Sequence, residues 1–398
     1  MARLEADWLD EPASRAVVDA LGRDEARFVG GAVRDSLLGR PVADIDLATR
    51  LPPDIATARL EAAGIRTVPT GIAHGTITAI ALGRSFEVTT LRKDIETYGR
   101  HARVLFTDDW KADAARRDFT MNALYAEADG RLHDYFGGIE DALSGRVRFI
   151  GDAGQRISED ALRILRFFRF HAHFGKGPPD ESGLSACRAA VSMLAILSIE
   201  RVRNELLKLL AAEDPLPALV VCRDSGVLGH VLPEARADFE GPLAGLLRRE
   251  RALAMPDPLR RLAVLIGDEA SKLEETGRRL RLSNREIARL VAMAKPVPPD
   301  RLLLQAAYRD GEEAVRDRLL LADLPEAHLI ALLARLAGWS RPRFPLGGRD
   351  LAKAGIAPGP DMGRRLARLE AIWVASDFTL GRAELLEHLA RTVQGEGA

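Results

Sequence analysis

The sequence predicts an α+β protein: a small mixed β-sheet head followed by an all-helical remainder. Three observations predict it. Short β-like runs occur before Gly151 and nearly vanish after it. Beyond that point, long stretches carry apolar residues at three- and four-residue intervals, the period of a helix with one buried face. Aromatic residues make up only 5% of the chain while Leu, Ala and Arg are plentiful, which favours packed helices over a sandwich rich in Tyr, Val and Thr. With 398 residues there is chain enough for two to four compact units.

In chain order, residues 14–21 read as a short helix, followed by strands at 27–29, 44–48, 76–80, 86–89 and 146–150, where β-branched and apolar residues alternate with polar ones. The helical pattern then holds over 158–174, 198–212, 259–266 and 316–337. Gly175–Pro179, Glu213–Pro215 and Pro296–Pro299 break it and mark borders between helical subdomains. The expected division is an N-terminal helix at 1–23, the head at 24–150, a neck at 151–215, a body at 216–298 and a tail at 299–398.

Composition removes several classes of function. The formal net charge is -1, so no global field draws in nucleic acid or membrane, and any polyanion site must be local. Cys187 and Cys222 stand far apart without a CxxC, which argues against a disulfide framework and a cysteine-based zinc site and fits a reducing cytoplasm. The N-terminus lacks an apolar stretch of signal-peptide length, and no apolar run approaches the roughly 20 residues that span a bilayer. A cytoplasmic protein with no membrane contact is expected.

The densest chemical signal is Phe28-Val29-Gly30-Gly31-Ala32-Val33-Arg34-Asp35, followed by Asp44-Ile45-Asp46. A strand that ends in Gly30 and Gly31 and opens into a helix reads either as a plain tight turn or as a phosphate cradle. In the second case backbone N–H groups approach the anion and Arg34 supplies charge from the first turn. Asp44 and Asp46, two apart on an expected strand, project from one face, and two like charges there need cations; oxygen-only ligands at that spacing suit Mg²⁺. Glu87, on the strand 86–89, reads either as a solvent-facing residue or as a third carboxylate from a neighbouring strand.

A glycine pair, then Arg-Asp, then Asp-x-Asp resembles the catalytic head of the nucleotidyltransferase superfamily that DNA polymerase β shares with the CCA-adding enzymes. Later segments narrow the resemblance. Arg116-Arg117-Asp118-Phe119-Thr120-Met121-Asn122, then Asp134-Tyr135-Phe136-Gly137-Gly138, then Glu159-Asp160-Ala161-Leu162-Arg163-Ile164-Leu165-Arg166-Phe167-Phe168-Arg169-Phe170 follow the order and spacing of class II CCA-adding enzymes and bacterial poly(A) polymerases. The resemblance implies a polymerase-β-like head, CTP and ATP as substrates, a tRNA 3′ end as acceptor and a tail that binds tRNA. It also implies that Arg117, Asp160, Arg163, Arg166 and Arg169 contact the incoming nucleotide.

The last of these segments also has a physical reading. Three-residue steps on a helix carry Asp160, Arg163 and Arg166 across one wall, while Arg169 falls about opposite Asp160. The same pattern suits a salt-bridged surface face. Cytosine and adenine each present an exocyclic amine beside an unprotonated ring nitrogen, whereas uracil and guanine present a carbonyl beside an N–H. A carboxylate from Asp160 and a guanidinium from Arg163 therefore suit C and A and reject U and G.

The polar segment 91–104, with a glycine hinge at Gly99, resembles the flexible loop of CCA-adding enzymes, which implies the switch from C to A addition; Tyr98 stands where relatives usually carry Asp. Residues 68–76 resemble the CCA-adding version of the head, and His74 within them is expected to serve a turn rather than the chemistry. His133-Asp134 imitates the start of a metal-phosphohydrolase motif without further partners at useful spacing. In the tail, Arg341, Arg343 and Arg349 either hold RNA phosphates or lie in a solvated loop.

The expected activity is template-independent addition of CCA to tRNA 3′ ends with Mg²⁺. Asp44 and Asp46 hold metal at the RNA hydroxyl, and pyrophosphate leaves towards Arg34. The alternatives are a poly(A) polymerase, the A-adding half of a split system, or an inactive head kept as an RNA-binding scaffold. No obligate protein partner is expected.

Overall fold

The computed structural model describes residues 3–98 and 101–395. They form two compact units, Met1–Ala235 and Arg236–Ala398.

The first unit is built on a seven-stranded sheet. Its strands are β1 (Ala26–Val29), β2 (Ile45–Thr49), β3 (Arg66–Gly71), β4 (Thr76–Ala81), β5 (Arg84–Thr90), β8 (Leu124–Ala126) and β9 (Leu132–Asp134), in the order β3-β4-β5-β2-β1-β8-β9. Only β2 and β5 run parallel; every other neighbouring pair is antiparallel. Alternation along the strands sorts the two faces. Phe28, Ile45, Leu47, Phe86 and Val88 face a core closed by the helix Pro12–Leu21 through Val17, Val18 and Leu21. Val29 and Ala48 face the other way, into a second core with Trp110 and Tyr125.

The ribbon β6 (Arg92–Tyr98) and β7 (His101–Phe106) forms a separate antiparallel pair with an irregularity between Asp94 and Glu96. The expected loop at 94–104 is thus a hairpin, because its backbone groups pair across the two arms even though few of its side chains are apolar. The hinge at Gly99 lies outside the described residues.

Two other expectations in this unit are corrected. Residues 146–150 form no strand: Phe149 makes a single bridge to Phe119, whose chain then turns into a short 3₁₀ helix, Thr120–Asn122, and the ladder stops there. The apolar alternation in that segment still finds its core, with Phe149 stacked on Phe167 at 5.7 Å. The helix expected over 158–174 is broken. One helix, Ala153–Glu159, ends at Asp160, whose backbone is extended at φ −152°, and a second, Leu162–Phe174, begins beyond it. A carboxylate that accepts from the Leu162 N–H at 3.1 Å competes with helix continuation at that point.

The second unit is helical. One of its cores gathers Leu246, Leu303, Leu319 and Leu332, and another gathers Tyr308, Trp373, Leu385 and Leu389. The run expected at 316–337 divides into Glu312–Leu321 and Glu326–Ala337, split before Pro325. Arg341 lies with its guanidinium 4.7 Å from the Tyr308 ring centre.

Beneath these helices lies a charged network whose centre, Glu250, Arg260, Arg261 and Asp317, is buried, while Arg289 and Asp257 are half-buried. Glu250 bonds Arg260 at 3.1 Å and Arg261 at 2.7 Å, Arg260 reaches Asp317 at 3.3 Å, and Arg289 bonds Asp317 and Asp257 at 2.7 Å each. Glu250→Ala would remove one carboxylate contact from each of two buried guanidinium groups. Urea unfolding should show a loss of about 3–5 kcal/mol.

Candidate active site

The site is built where β1 ends. Gly30 holds φ 74°, ψ −123°, a conformation that side chains resist, and so turns the strand directly into the helix Gly31–Leu37. A Cβ there would also approach the guanidinium of Arg117, whose Nη1 lies 3.5 Å from that point. From the first turn of this helix Arg34, 8% exposed, donates to Asn122 Oδ1 at 2.6 Å and to both oxygens of Asp35 at 2.9 Å. Its guanidinium also stacks 4.1 Å from the Phe174 ring centre. These contacts fix the cation beside the glycine turn.

On the neighbouring strand, Asp46 lies within β2 and Asp44 immediately precedes it, exposed, so the first carboxylate belongs to the strand's approach and not to the strand. The parallel register sets Asp46 directly opposite Glu87 of β5. Burial, then the facing Glu87, push the Asp46 carboxyl up to about 6; Arg117 opposes the shift and Asp44 adds to it. Asp46 thus feels repulsion from both Glu87 and Asp44. A hard divalent cation would relieve that repulsion, and carboxylate oxygens are the donors such a cation takes. Among the described residues no group of three or more His, Cys, Asp or Glu side chains is placed to hold a metal ion.

A cleft of about 500 Å³ opens beside these strands. Gly30, Gly31, Arg34, Asp46, Arg117, Asp160, Arg163 and Arg166 all line it, residues separated by as much as 136 positions and brought together by the sheet and the neck helices. Asp44, Glu87 and Arg169 are not among its lining. Arg169 turns away to pair with Glu205 at 2.9 Å.

Arg117, Arg163, Arg166 and Asp160 in the wall are each held by a partner that the sequence reading left unassigned. Arg117 bonds Tyr125 Oη at 3.3 Å and Asp113 at 3.4 Å, and Tyr125 itself donates to Asp113 at 2.7 Å. Arg163 is held by Glu159 at 2.5 Å and by the Arg156 carbonyl at 2.7 Å. Arg166 donates through Nε to Asp118 at 2.7 Å. Burial alone would raise the Asp118 carboxyl, but Arg166 and the donors from Asn122 and Phe119 hold it below the usual carboxylate range. Asp160 pairs not with Arg163 but with Arg201, at 2.7 Å.

Asp118 and Asn122 sit inside the Arg116–Asn122 motif, which was a sufficient signal for them. Arg201 carried none beyond its place on an expected helix. Asp134, by contrast, is spent on backbone: it accepts from the N–H groups of Phe136, Gly138 and Ile139. His133 bonds Glu127 at 2.6 Å. His74 ends a 3₁₀ turn, Ile72–His74, as the sequence suggests.

Comparison with known proteins bears on the same residues. The family described as "Poly A polymerase head domain" matches residues 26–148, and that described as "Probable RNA and SrmB- binding site of polymerase A" matches residues 179–239. The "CCA tRNA nucleotidyltransferase 1, mitochondrial" of Danio rerio is 36% identical over 380 residues, covering 92% of this chain and 88% of that protein. This chain belongs to the CCA-adding tRNA nucleotidyltransferase family. As a member of that family it is an enzyme. Its bacterial relatives include the "CCA-adding enzyme" of Limosilactobacillus fermentum, 32% identical, with 87% of each chain covered. The solved CCA-adding enzyme of Bacillus stearothermophilus in complex with CTP superposes with a TM-score of 0.78 at 25% identity, covering 97% of this nucleotidyltransferase and 100% of that chain. The mixed-sheet head and helical remainder expected from the sequence are therefore those of the family. Among the described residues, no helix of this nucleotidyltransferase is long and apolar enough to cross a membrane.

Proposed function

We propose that this enzyme adds C, C and A to tRNA 3′ ends from CTP and ATP without a template strand, with Mg²⁺ as its cofactor and pyrophosphate as the second product. The observation that carries the reading is the cleft itself: the glycine turn with Arg34, the Asp46 carboxylate and the Asp160–Arg163 wall meet in one space of about 500 Å³. Its relatives' names support the choice of tRNA, and the CTP bound by the Bacillus stearothermophilus enzyme supports the choice of nucleotide. We place the reaction in the cytoplasm, in keeping with the free, buried thiols of Cys187 and Cys222.

In this reading Asp44 and Asp46, with Glu87 beside them, hold Mg²⁺. When bound there, the ion neutralises charge on the transferring phosphoryl group and favours ionisation of the attacking hydroxyl. Arg34 and the N–H groups at Gly30 and Gly31 receive the triphosphate, and Arg117 and Arg166 lie along its path. Asp160 accepts from the exocyclic amine of cytosine or adenine, and Arg163 donates to the adjacent ring nitrogen. Arg169, committed to Glu205, is proposed only as a support to that wall. The neck at 151–215 is proposed to carry the nucleotide-reading helix, and the tail at 299–398 to hold the RNA.

The test is product length. tRNA lacking one, two or three terminal residues is incubated with CTP and ATP, singly and together. Full restoration in the mixture, with CTP alone stopping at CC, supports the reading; unlimited A tails or A addition alone would replace it. Base selection has its own test. Asp160→Ala or Arg163→Ala should lower the preference for CTP over UTP and ATP over GTP by about 1–3 kcal/mol per lost contact. Unchanged ratios in both variants would remove these side chains from base reading.

A further inference from the structure

The helix Ile199–Leu210 has no part in the chemistry described above, yet it places Arg201 in the wall of the nucleotide cleft. Arg201 donates to Asp160 Oδ2 at 2.7 Å, and both side chains are largely buried, at 17% and 22% exposure. The other oxygen of Asp160 accepts from the Leu162 N–H at 3.1 Å. Asp160 itself stands in extended backbone between two helices, where no helical turn restrains its side chain. Its carboxylate is therefore aimed by two anchors, one backbone and one side chain.

One turn further along the same helix, Glu205 faces Arg169 of the helix Leu162–Phe174 at 2.9 Å. Residues four apart share a helix face. Arg201 and Glu205 thus present opposite charges to Asp160 and Arg169, and this pairing opposes a slide of one helix along the other.

The aim of Asp160 matters because a carboxylate alone does not tell cytosine from uracil. Uracil and guanine also offer a donor, their ring N–H, displaced from the position of the exocyclic amine of cytosine and adenine by about the spacing of adjacent hydrogen bonds on a base edge. A carboxylate free to swing would accept either. Selection requires an oxygen held where only the amine reaches it, and a displacement of about 1 Å is enough to matter.

We propose that Arg201 is a positioning residue for base selection: by holding Oδ2 of Asp160 it fixes the acceptor that distinguishes C and A from U and G. The inference rests on the base-reading role proposed above for Asp160. A carboxylate accepts in about four directions, so the contacts to Arg201 and Leu162 leave acceptor capacity for the base.

The test uses the full chain and steady-state addition of CTP, UTP, ATP and GTP to matched tRNA ends. Arg201→Gln should lower the C-over-U and A-over-G ratios of kcat/KM about tenfold, chiefly through higher KM for CTP and ATP. It should cause no further loss of selectivity in an Asp160→Ala background. Arg201→Lys, which keeps the charge but not the fork, should restore most of the ratio, leaving it about threefold low. Should Arg201→Gln fail to fold, that threefold deficit in the Lys variant is the reading, and an unchanged ratio there overturns the proposal. An equal rise in KM for all four nucleotides would mean that Arg201 meets the shared triphosphate, and would also overturn it. If Asp160→Ala shifts the ratios and Arg201→Gln does not, the positioning role alone fails. If Asp160→Ala leaves them unchanged, base reading by Asp160 fails and the positioning role falls with it.

Discussion

Asp44→Ala and Asp46→Ala are each expected to lower incorporation of both C and A by about 1,000-fold or more, the scale set by losing several kcal/mol of charge stabilisation at the transferring phosphoryl group. Retained tRNA affinity is part of the expectation, since RNA binding draws on distributed phosphate contacts and not on a pair of carboxylates. Asp46 adds a signature that a merely structural residue would not give. Burial and the facing Glu87 make its charge costly in the folded state. Asp46→Asn, which removes the charge and keeps the shape, should therefore lose the rate while the thermal midpoint in metal-free buffer stays at or above that of the unaltered chain. Single variants that both keep more than a few per cent of the rate would remove the carboxylates from the chemistry.

Replacing residues 94–104 with a short Gly-Ser turn is expected to stop the reaction after the second C. The ribbon β6–β7 leaves the sheet from the end of β5, the strand that carries Glu87, and its base is tied down where Thr107 N–H donates to the Leu91 carbonyl at 2.9 Å. The core keeps Leu91 fully buried, while Leu105 and Phe106 on the ribbon stay exposed at 57% and 41%. C addition should need only the cleft, whereas admitting the larger adenine should need the ribbon to reshape it. A addition should fall about 100-fold, with C addition within about threefold of normal. Gel analysis of a tRNA lacking its whole terminus would show a CC end accumulating. Equal loss of both steps would make the ribbon a general support, and unimpaired A addition would remove it from the mechanism.

Much of this site could be read from the chain because its signals are local. Gly30 and Gly31 mark a turn whatever surrounds them, and Asp44 and Asp46 stand two apart around the start of a strand. The alternation of β2 and β5 was legible for the same reason. Their register was not. That Asp46 lies opposite Glu87 depends on a parallel pairing across about 40 intervening residues, which period alone does not specify. The partners Asp113 and Arg201 were hidden for a related reason: each looks like an ordinary surface charge until the fold brings it within reach of a guanidinium or carboxylate. Helix periodicity also misled at Asp160, where a local side-chain bond to Leu162 outweighed a continuous apolar pattern. At 94–104 polarity suggested a loop because a two-stranded ribbon needs no buried face to pair its backbone.

The extended residue at Asp160 bears on how this region absorbs change in length. In an unbroken helix one inserted residue rotates everything beyond it by about 100°. Such an insertion before Asp160 would swing Arg163 and Arg166 out of the cleft. With the helix Ala153–Glu159 ending at Asp160 and Leu162–Phe174 starting afresh, a gain or loss of a residue in the first helix is taken up at the joint, and the second keeps its phase. Between Asp160 and Phe170 no such joint exists. Insertions and deletions among homologues should therefore gather on the N-terminal side of Asp160, and the spacing from that aspartate to the two arginines should be invariant.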